Sequence, residues 1–291
     1  MNNTVTLSAY AKINLFLDIT ACRADGYHSL NSVMQQISLA DTLTVTLGGR
    51  GDGIALTTDS GTLACDEHNL IWRAARAFFA ALGESRDVAV HLTKQIPMQA
   101  GLGGGSADCA AALHALNALC GKPFTTEQLS VMGAELGADV PFCVLGGTAR
   151  AEGIGERLTP LPPMPDCTVV VAMGAETMPT PAAFRALDVL HDRFASRSPK
   201  QAAYDALCTA MDDLPTLARG MYNIFEEAVF PALPALPDRL QILLEAGALG
   251  ARMSGSGAAV FGLFVSAADA ARAAEALRRQ GADVWLASPI R

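Results

Sequence analysis

The stretch Pro97-Met98-Gln99-Ala100-Gly101-Leu102-Gly103-Gly104-Gly105-Ser106-Ala107, named here the glycine loop, is the part of the chain that decides the fold. Four of its eleven residues are glycine, and three of these are consecutive. A run without side chains adds nothing to a hydrophobic core and is costly to order. Such a run is useful where successive backbone N–H groups must turn toward one point and a bulky group must come close.

The flanks of the glycine loop indicate what that group is. Residues 88–93 alternate between apolar and other side chains and predict a strand, and residues 107–119 predict an Ala- and Leu-rich helix. We expect Ser106 to be its N-cap and Gly121 to end it. A glycine-rich turn at a helix N-terminus favours a phosphate, because free N–H groups and the positive end of the helix dipole coincide there. A plain flexible turn is the alternative.

The common nucleotide-binding motifs do not account for this loop. The chain contains no G-x-x-x-x-G-K-[ST] sequence. The loop also fits a dinucleotide-binding fingerprint poorly, because it does not follow a first strand and no acidic residue ends a second strand about twenty positions on. The sequence therefore disfavours these folds without excluding a nucleotide.

Composition limits the class of protein. The chain has 291 residues, of which 51% are hydrophobic and 17% charged, which predicts a globular protein of two domains. Its net charge of −8 and the lack of a basic cluster argue against nucleic acid or an anionic membrane as a partner. The seven cysteines form no C-x-x-C pair, and no basic and apolar leader or long apolar run is present. We therefore expect a soluble, cytoplasmic protein.

Periodicity and turn residues predict an α+β chain. We expect strands at residues 10–19, 32–39, 41–47, 88–93, 167–173, 258–265 and 283–287. We expect helices at residues 70–82, 107–119, 126–136, 219–230, 237–246 and 267–280, and one opened by Pro179-Thr180-Pro181. Residues 146–155 predict a hairpin, and the proline-rich residues 159–166 predict a linker between the domains.

Two polar pairs near the N-terminus are candidate site residues. Lys12 and Asn14 share one face of the first strand, where they are either ordinary solvated residues or part of a site. Tyr27 and His28 follow an Asp-Gly turn, where aromatic rings either stack on a ligand or form a small cluster under the loop.

Asp139 is a third candidate. It follows a predicted helix and precedes a Val-Pro pair that restricts the backbone. A carboxylate after a helix C-terminus faces the negative end of its dipole. Asp139 is either a turn residue or a base held rigidly by its backbone.

Taken together, these segments resemble the GHMP kinase superfamily, named for galactokinase, homoserine, mevalonate and phosphomevalonate kinases. The resemblance covers nearly the whole chain and rests on the polar pair in the first strand, the P-x-x-x-G-L-G-G-G-S-A loop and the later Ser254-Gly255-Ser256-Gly257 loop. Ala11-Lys12-Ile13-Asn14-Leu15 and Asp25-Gly26-Tyr27-His28 resemble the branch that acts on CDP-linked methylerythritol. The chain departs from the usual pattern at Gln99-Ala100 and at Asn223-Ile224-Phe225-Glu226.

The resemblance implies a two-domain α+β fold. The N-terminal domain, residues 1–160, would be an α/β domain like ribosomal protein S5 and would carry the nucleotide loop. The C-terminal domain, residues 161–291, would be ferredoxin-like.

The resemblance also implies an activity. It is the ATP-dependent phosphorylation of the 2-hydroxyl of a CDP-linked methylerythritol in the non-mevalonate route to isoprenoid precursors, with ATP and Mg²⁺ bound. Lys12 and Asp139 would be catalytic, with Asp139 accepting the substrate proton and Lys12 stabilising the transferred phosphoryl group. The protein ligands of the metal stay unassigned.

The resemblance also implies which residues bind the nucleotide and the substrate. The nucleotide would contact the glycine loop and two further residues, giving the set Pro97, Met98, Gln99, Ala100, Gly101, Leu102, Gly103, Gly104, Gly105, Ser106, Ala107, Asn69 and Lys94. The substrate would contact Asn14, Tyr27, His28, Thr180 and Phe184, with the aromatic rings around the cytosine. Residues 255–257 would lie against the phosphates or the substrate.

The sequence also allows other functions. A mevalonate or homoserine kinase is disfavoured by Tyr27 and His28, because those substrates have no base to stack. A catalytically dead relative and a phosphate- or sugar-binding protein are further alternatives. The expected partners are the small-molecule substrate and ATP, and the expected oligomeric state is a monomer or weak homodimer.

Overall fold

Two long strands open the chain, β1 (Thr4–Cys22) and β2 (His28–Arg50), in a computed structural model that describes residues 3–195 and 197–291. The protein is a mixed α/β chain that divides into two compact units. Within the described residues, unit 1 contains residues 3–11, 40–98 and 103–145, and unit 2 contains the rest. Both β1 and β2 contribute residues to each unit.

Unit 1 adds two strands and four helices to its parts of β1 and β2. They are β3 (Ile54–Thr58), α1 (Leu70–Leu82), β4 (Arg86–Thr93), α2 (Gly104–Leu119), α3 (Thr126–Ala134) and α4 (Val140–Leu145). In its sheet, β4 lies between β2 and β3, antiparallel to β2 and parallel to β3. Val90 of β4 stands opposite Val45 on one side and Leu56 on the other, and all three are buried.

Helices α1 and α3 begin where the sequence predicts. Asn69 caps α1 by accepting a hydrogen bond from the N–H of Ile71, and Gly83 ends α1 in the left-handed conformation. Thr125 and Gln128 form a capping box at the start of α3. Helix α2 is buried along most of its length, because small alanines let its neighbours approach closely.

Unit 2 contains the remaining elements. They are β5 (Thr148–Gly153), β6 (Arg157–Pro160), β7 (Thr168–Met173), α5 (Thr180–Leu190), a 3-10 turn (Asp192–Phe194), α6 (Gln201–Thr209), α7 (Leu214–Gly220), β8 (Tyr222–Asn223), α8 (Phe225–Val229), α9 (Ala235–Glu245), β9 (Gly250–Met253), β10 (Val260–Phe264), α10 (Ala267–Arg279) and β11 (Asp283–Ala287). An antiparallel four-stranded sheet runs in the order β11-β7-β10-β9. Helices α9 and α10 pack against it. Strand β5 pairs with β2 and β6, and β8 pairs with β1 in parallel.

Three expectations about the elements are wrong. The predicted strands 32–39 and 41–47 are parts of one continuous strand, β2. The predicted helix 219–230 contains the end of α7, strand β8 and the short helix α8. It is interrupted because Asn223 is buried and its side-chain amide bonds three backbone groups, of Phe225, Met253 and Gly255. Finally, β6 reaches Pro160, inside the predicted linker.

Among the helices of the described residues, none is long and apolar enough to cross a membrane.

Candidate active site

The N-terminus of α2 is an open, uncapped helix end. The helix begins at Gly104, with Gly103 as its N-cap at a φ of +70°, and no side chain among the described residues caps it. The prediction that Ser106 is the N-cap is therefore wrong, since Ser106 is the third residue of the helix. Gly105 is exposed, and Gly103, Gly104 and Ser106 are partly exposed. An accessible helix end with no capping side chain leaves backbone N–H donors for an anion.

The earlier part of the glycine loop packs against the second glycine loop, residues 254–257. The Ser254 hydroxyl donates to the carbonyl oxygen of Gly101 at 2.9 Å, and the N–H of Ala259 donates to the carbonyl of Ala100 at 3.1 Å. A Cβ on Gly101 would lie 2.0 Å from the carbonyl oxygen of Ser254. Gly101 is thus required by protein packing as well as by its φ of +75°.

Gln99 also has a left-handed backbone, with a φ of +54°. A non-glycine residue in this region carries a conformational cost. A glycine at this position would avoid that cost, because it has no Cβ.

A buried charge network stands beside the loop in unit 1. The ammonium of Lys94 donates to the carboxylates of Asp41 and Asp108, the second at 3.0 Å. Asp41 is fully buried, and its other oxygen accepts the N–H groups of Gln95 and Ile96, which lead directly into the glycine loop. The sequence predicts Lys94 as a contact of the nucleotide, and in the structure its ammonium already has two carboxylate partners.

Burial changes the protonation of this network. Desolvation raises the pKa of Asp108 to about 8, and the nearby carboxylate of Asp41 adds to the rise. Burial alone would lower the pKa of Lys94, but the carboxylates of Asp108 and Asp41 raise it above its usual value. Within the part of the chain that the structure describes, Asp108 Oδ1 is buried and has no hydrogen-bond partner.

Asn69 has its side chain committed to the start of α1. Its Oδ1 accepts the N–H of Ile71 at 2.9 Å, and its Nδ2 donates to the carbonyl of Ala64 at 2.8 Å. These two bonds explain Asn69 as a structural residue, and its predicted contact with the nucleotide stays a prediction.

Asp139 is partly buried and directly precedes α4, where the N–H of Cys143 donates to its carbonyl oxygen at 3.1 Å. Helix α3 already ends at Ala134, so Asp139 lies at an N-terminus and not at the unfavourable C-terminal end that the sequence predicts. Its turn also lies near the glycine loop, because a Cβ on Gly137 would come 3.9 Å from the hydroxyl of Ser106.

Lys12 and Asn14 lie in the buried middle of β1 and are only 4% and 1% exposed. The Lys12 ammonium donates to Asn14 Oδ1 at 2.7 Å, Asn14 Nδ2 donates to the Ser32 hydroxyl at 2.8 Å, and Ser32 donates to the carbonyl of Phe16. The main-chain N–H of Lys12 donates to the carbonyl of Leu102 at 2.9 Å, which joins β1 to the glycine loop within unit 2. The solvated alternative for this pair is excluded.

The aromatic residues predicted for the substrate gather in unit 2. The rings of His28 and Phe184 have centroids 4.8 Å apart, and Tyr27 exposes 61% of its surface. His28 Nε2 lies 2.7 Å from Asp188 Oδ1. Thr180, at the start of α5, shares a 2.8 Å hydrogen bond with Ser256 of the second glycine loop.

Each unit therefore assembles part of the predicted site. Unit 1 joins Ser106, the α2 N-terminus and the Asp139 turn, and unit 2 joins Lys12 and Asn14 to residues 99–102 and Thr180 to Ser256. Sequence reasoning missed the polar partners of these residues, which are Ser32, Asp41, Asp108 and Asp188. No local pattern marks them, because each partner pair is brought together by tertiary pairing.

Two segments of the chain match the N-terminal and C-terminal domains of one family. Residues 69–147 match the GHMP kinases N terminal domain, and residues 201–283 match the GHMP kinases C terminal domain. These matches lie on either side of the predicted domain boundary at residues 160 and 161, which stays a prediction.

Two relatives that share one name with each other align with most of the chain. The 4-diphosphocytidyl-2-C-methyl-D-erythritol kinase of Desulfitobacterium hafniense (strain Y51) is 42% identical over 98% of this chain and 96% of its own. The protein of that name from Salinispora arenicola (strain CNS-205) is 43% identical over 91% of this chain and 84% of its own.

Two solved structures are similar to nearly the whole chain. A crystal structure of 4-(cytidine 5'-diphospho)-2C-methyl-D-erythritol kinase has a TM-score of 0.80 at 36% identity and covers 98% of this chain and 99% of its own. The homoserine kinase of Cytophaga hutchinsonii, at 22% identity and a TM-score of 0.78 over 98% of this chain and 95% of its own, shares the fold. The chain belongs to the GHMP kinases, within the family of 4-diphosphocytidyl-2-C-methyl-D-erythritol kinases.

Proposed function

We propose that this protein is an ATP-dependent kinase that phosphorylates the 2-hydroxyl of 4-diphosphocytidyl-2-C-methyl-D-erythritol in the non-mevalonate route to isoprenoid precursors. The observation that carries the proposal is the accessible, uncapped N-terminus of α2 after the glycine loop. Phosphoryl transfer needs positioning and charge neutralisation more than covalent chemistry, and a helix end with open N–H groups provides both for the phosphates of ATP.

Lys12 is the proposed electrostatic stabiliser of the transferred phosphoryl group. It is buried in a strand, and its ammonium is oriented by Asn14, which Ser32 holds in turn. A cation held in this way needs little reorganisation when charge develops, so it stabilises a transition state more than a mobile surface lysine does. Its backbone bond to Leu102 supports a position near the phosphate-binding loop.

Asp139 is the proposed acceptor of the substrate proton. Its backbone is fixed by the turn that begins α4, and that turn lies near Ser106 in unit 1. A base must be held within hydrogen-bond reach of the hydroxyl that it deprotonates, and a rigid turn serves this purpose better than a mobile loop.

Mg²⁺ fits the oxygen donors near the N-terminus of α2. The ion prefers oxygen ligands, and the Ser106 hydroxyl is the protein oxygen that we propose would hold it together with the phosphates. Asp41 and Asp108 fit less well, since Lys94 and two backbone N–H groups already use their oxygens. Bound Mg²⁺ would share the charge of the β- and γ-phosphates.

Release of ADP against a panel of acceptors tests this function. The purified protein receives Mg-ATP with 4-diphosphocytidyl-2-C-methyl-D-erythritol, mevalonate, homoserine or galactose. We expect turnover of the cytidine compound alone. Turnover of mevalonate or homoserine instead would overturn the substrate assignment, and ATP binding without turnover of any acceptor would favour a catalytically dead relative.

The cytoplasmic location and the monomeric or weakly dimeric state are also proposals. Cys109 is buried and Cys167 is partly buried, and both support a structural role for cysteine, because burial raises the pKa of each thiol to about 12 and keeps it protonated. Sedimentation at several concentrations would test the oligomeric state.

A further inference from the structure

Asp188 contacts one of the predicted substrate residues and has no role in the function proposed so far. His28 opens β2 and Asp188 lies near the end of α5, 160 residues further along the chain. Their Nε2 and Oδ1 atoms are 2.7 Å apart, and the two side chains are only 8% and 19% exposed. A short, largely buried contact between such distant residues holds the imidazole in one place.

The imidazole is also held by rings. Phe184 lies 4.8 Å from it between centroids at an angle of 32°, and Phe194 meets it edge-on at 5.9 Å. Phe184 and Asp188 are four residues apart on α5, so one face of that helix supplies both the stacking ring and the carboxylate. The ring of His28 therefore has a fixed orientation, because rotation would break the bond to Asp188 and the contact with Phe184.

The carboxylate also decides which nitrogen carries the proton. An ionised carboxylate only accepts hydrogen bonds, so the 2.7 Å contact requires a hydrogen on Nε2. In the neutral ring the other nitrogen, Nδ1, is then an acceptor. An acceptor at this position pairs with the 4-amino group of cytosine and repels the 4-carbonyl oxygen that uracil carries in its place.

His28 and Asp188, together with Cys22, also meet the geometry of a metal cluster, since one ligand atom of each of the three lies within 4.8 Å of the others. The guanidinium of Arg193 donates to Cys22 Sγ at 3.0 Å. A fixed positive charge on the thiol opposes a metal cation there, and the hydrogen bond between His28 and Asp188 already uses the other two ligand atoms.

We propose that Asp188 is a positioning residue that fixes His28 as a hydrogen-bond acceptor and thereby makes the substrate site select cytosine over uracil. This proposal rests on the proposed function, because it assumes that a cytidine diphosphate group is bound beside His28. The exposed ring of Tyr27, the neighbouring residue, supports that placement, since a large aromatic surface beside the imidazole suits a stacked base.

Calorimetric binding of CDP and UDP tests the proposal without requiring turnover. We expect the wild-type protein to bind CDP at least tenfold more tightly than UDP. Asp188→Asn should reduce this ratio to about threefold or less, because an amide can donate as well as accept and so permits either tautomer of His28. Asp188→Glu, which keeps an acceptor-only group, should restore part of the preference. The control is Asp192→Asn, on an exposed carboxylate just beyond α5, which should leave the ratio unchanged.

A second readout separates this proposal from a purely structural role and from failure of the proposed function. Nitrogen-15 NMR of the wild-type protein should show His28 with hydrogen on Nε2, and Asp188→Asn should change that signal while the thermal unfolding curve stays cooperative. Hydrogen on Nδ1 in the wild type, or an unchanged CDP-to-UDP ratio in Asp188→Asn, would overturn the proposal. Selective CDP binding without any kinase turnover would instead overturn the proposed function and leave the role of Asp188 standing.

Discussion

Asp139 is the residue whose replacement best separates chemistry from binding. We expect Asp139→Asn to lower kcat by about 10²–10⁴-fold, because an amide cannot accept the proton of the substrate hydroxyl. The affinity of this variant for ATP should stay within about twofold of the wild-type affinity, because asparagine keeps the shape of the aspartate side chain. Single-turnover kinetics together with ATP titration measure both quantities. An equal loss of both would assign Asp139 to binding instead.

Gly101 is the residue at which the two glycine loops leave no room for a side chain. Gly101→Ala places a Cβ 2.0 Å from the carbonyl oxygen of Ser254, on a backbone with a φ of +75°. We expect the free energy of unfolding to fall by more than about 3 kcal/mol, since the clash adds to the strain of a left-handed residue. Urea denaturation measures this loss.

The matched control for Gly101 is Gly121. It has a similar φ of +80°, but a Cβ there would meet nothing within 4 Å. Gly121→Ala should therefore lower the free energy of unfolding by only about 1 kcal/mol, because it adds backbone strain without a clash. Equal losses for the two variants would mean that packing between the glycine loops contributes nothing.

Single residues could be predicted as candidates from sequence, but their surroundings could not. Lys12 and Asn14 share a strand face by simple alternation, yet only the structure shows that both are buried and that Ser32 continues their hydrogen bonds. The partner of His28 is 160 residues away in the chain and has no motif. Local sequence encodes spacing, whereas these contacts depend on how strands and helices pair.

At the scale of elements, prediction succeeds where caps and periodicity agree. The predicted bounds of α1 and β11 are confirmed, because Asn69 and Gly83 delimit the first and turn residues flank the second. Prediction fails at β8, where a buried side chain overrides helical propensity. Asn223 bonds the backbone of Phe225, Met253 and Gly255, which local sequence cannot indicate.

The connection from β4 into the glycine loop depends on the network of Lys94, Asp41 and Asp108. The pKa of Asp108 is raised from 3.8 to about 8, so the folded protein holds a proton that the unfolded chain releases between these two pH values. The protonated Asp108 carboxyl therefore contributes to the free energy of unfolding at low pH, and this contribution is lost as the pH rises toward 8. Asp108→Asn, which cannot ionise, should not show this loss.

Chemical denaturation at pH 5, 6, 7 and 8 checks this expectation. The stability of the wild type relative to Asp108→Asn should fall by up to about 4 kcal/mol across this range, since one fully titrating group changes the free energy of unfolding by about 1.4 kcal/mol per pH unit. Glu127→Gln is a suitable control, because Glu127 is exposed at the start of α3 and its pKa is lowered, so that it titrates below this range. A difference that stays constant with pH would mean that Asp108 is ionised in the folded protein.

At the scale of the whole molecule, the domain boundary expected near residue 160 stays a prediction. The two compact units interleave along the chain and share the long strands β1 and β2. Strand alternation gives no sign of this sharing, because a long strand has the same period throughout. The family matches at residues 69–147 and 201–283 are compatible with the expected order of the two domains.

A ligand that binds only the folded state stabilises the whole molecule by mass action, which provides the last prediction. At about 100 times its dissociation constant, Mg-ATP should add about 2.7 kcal/mol to the free energy of unfolding and raise Tm by about 5 °C or more. Asp139→Asn should respond equally, since its proposed role is in chemistry. AMP at the same concentration should raise Tm far less, because it lacks the β- and γ-phosphates that the N-terminus of α2 is proposed to bind. Equal stabilisation by AMP and ATP would show that the base and ribose supply the binding energy and that the open helix end holds no phosphate.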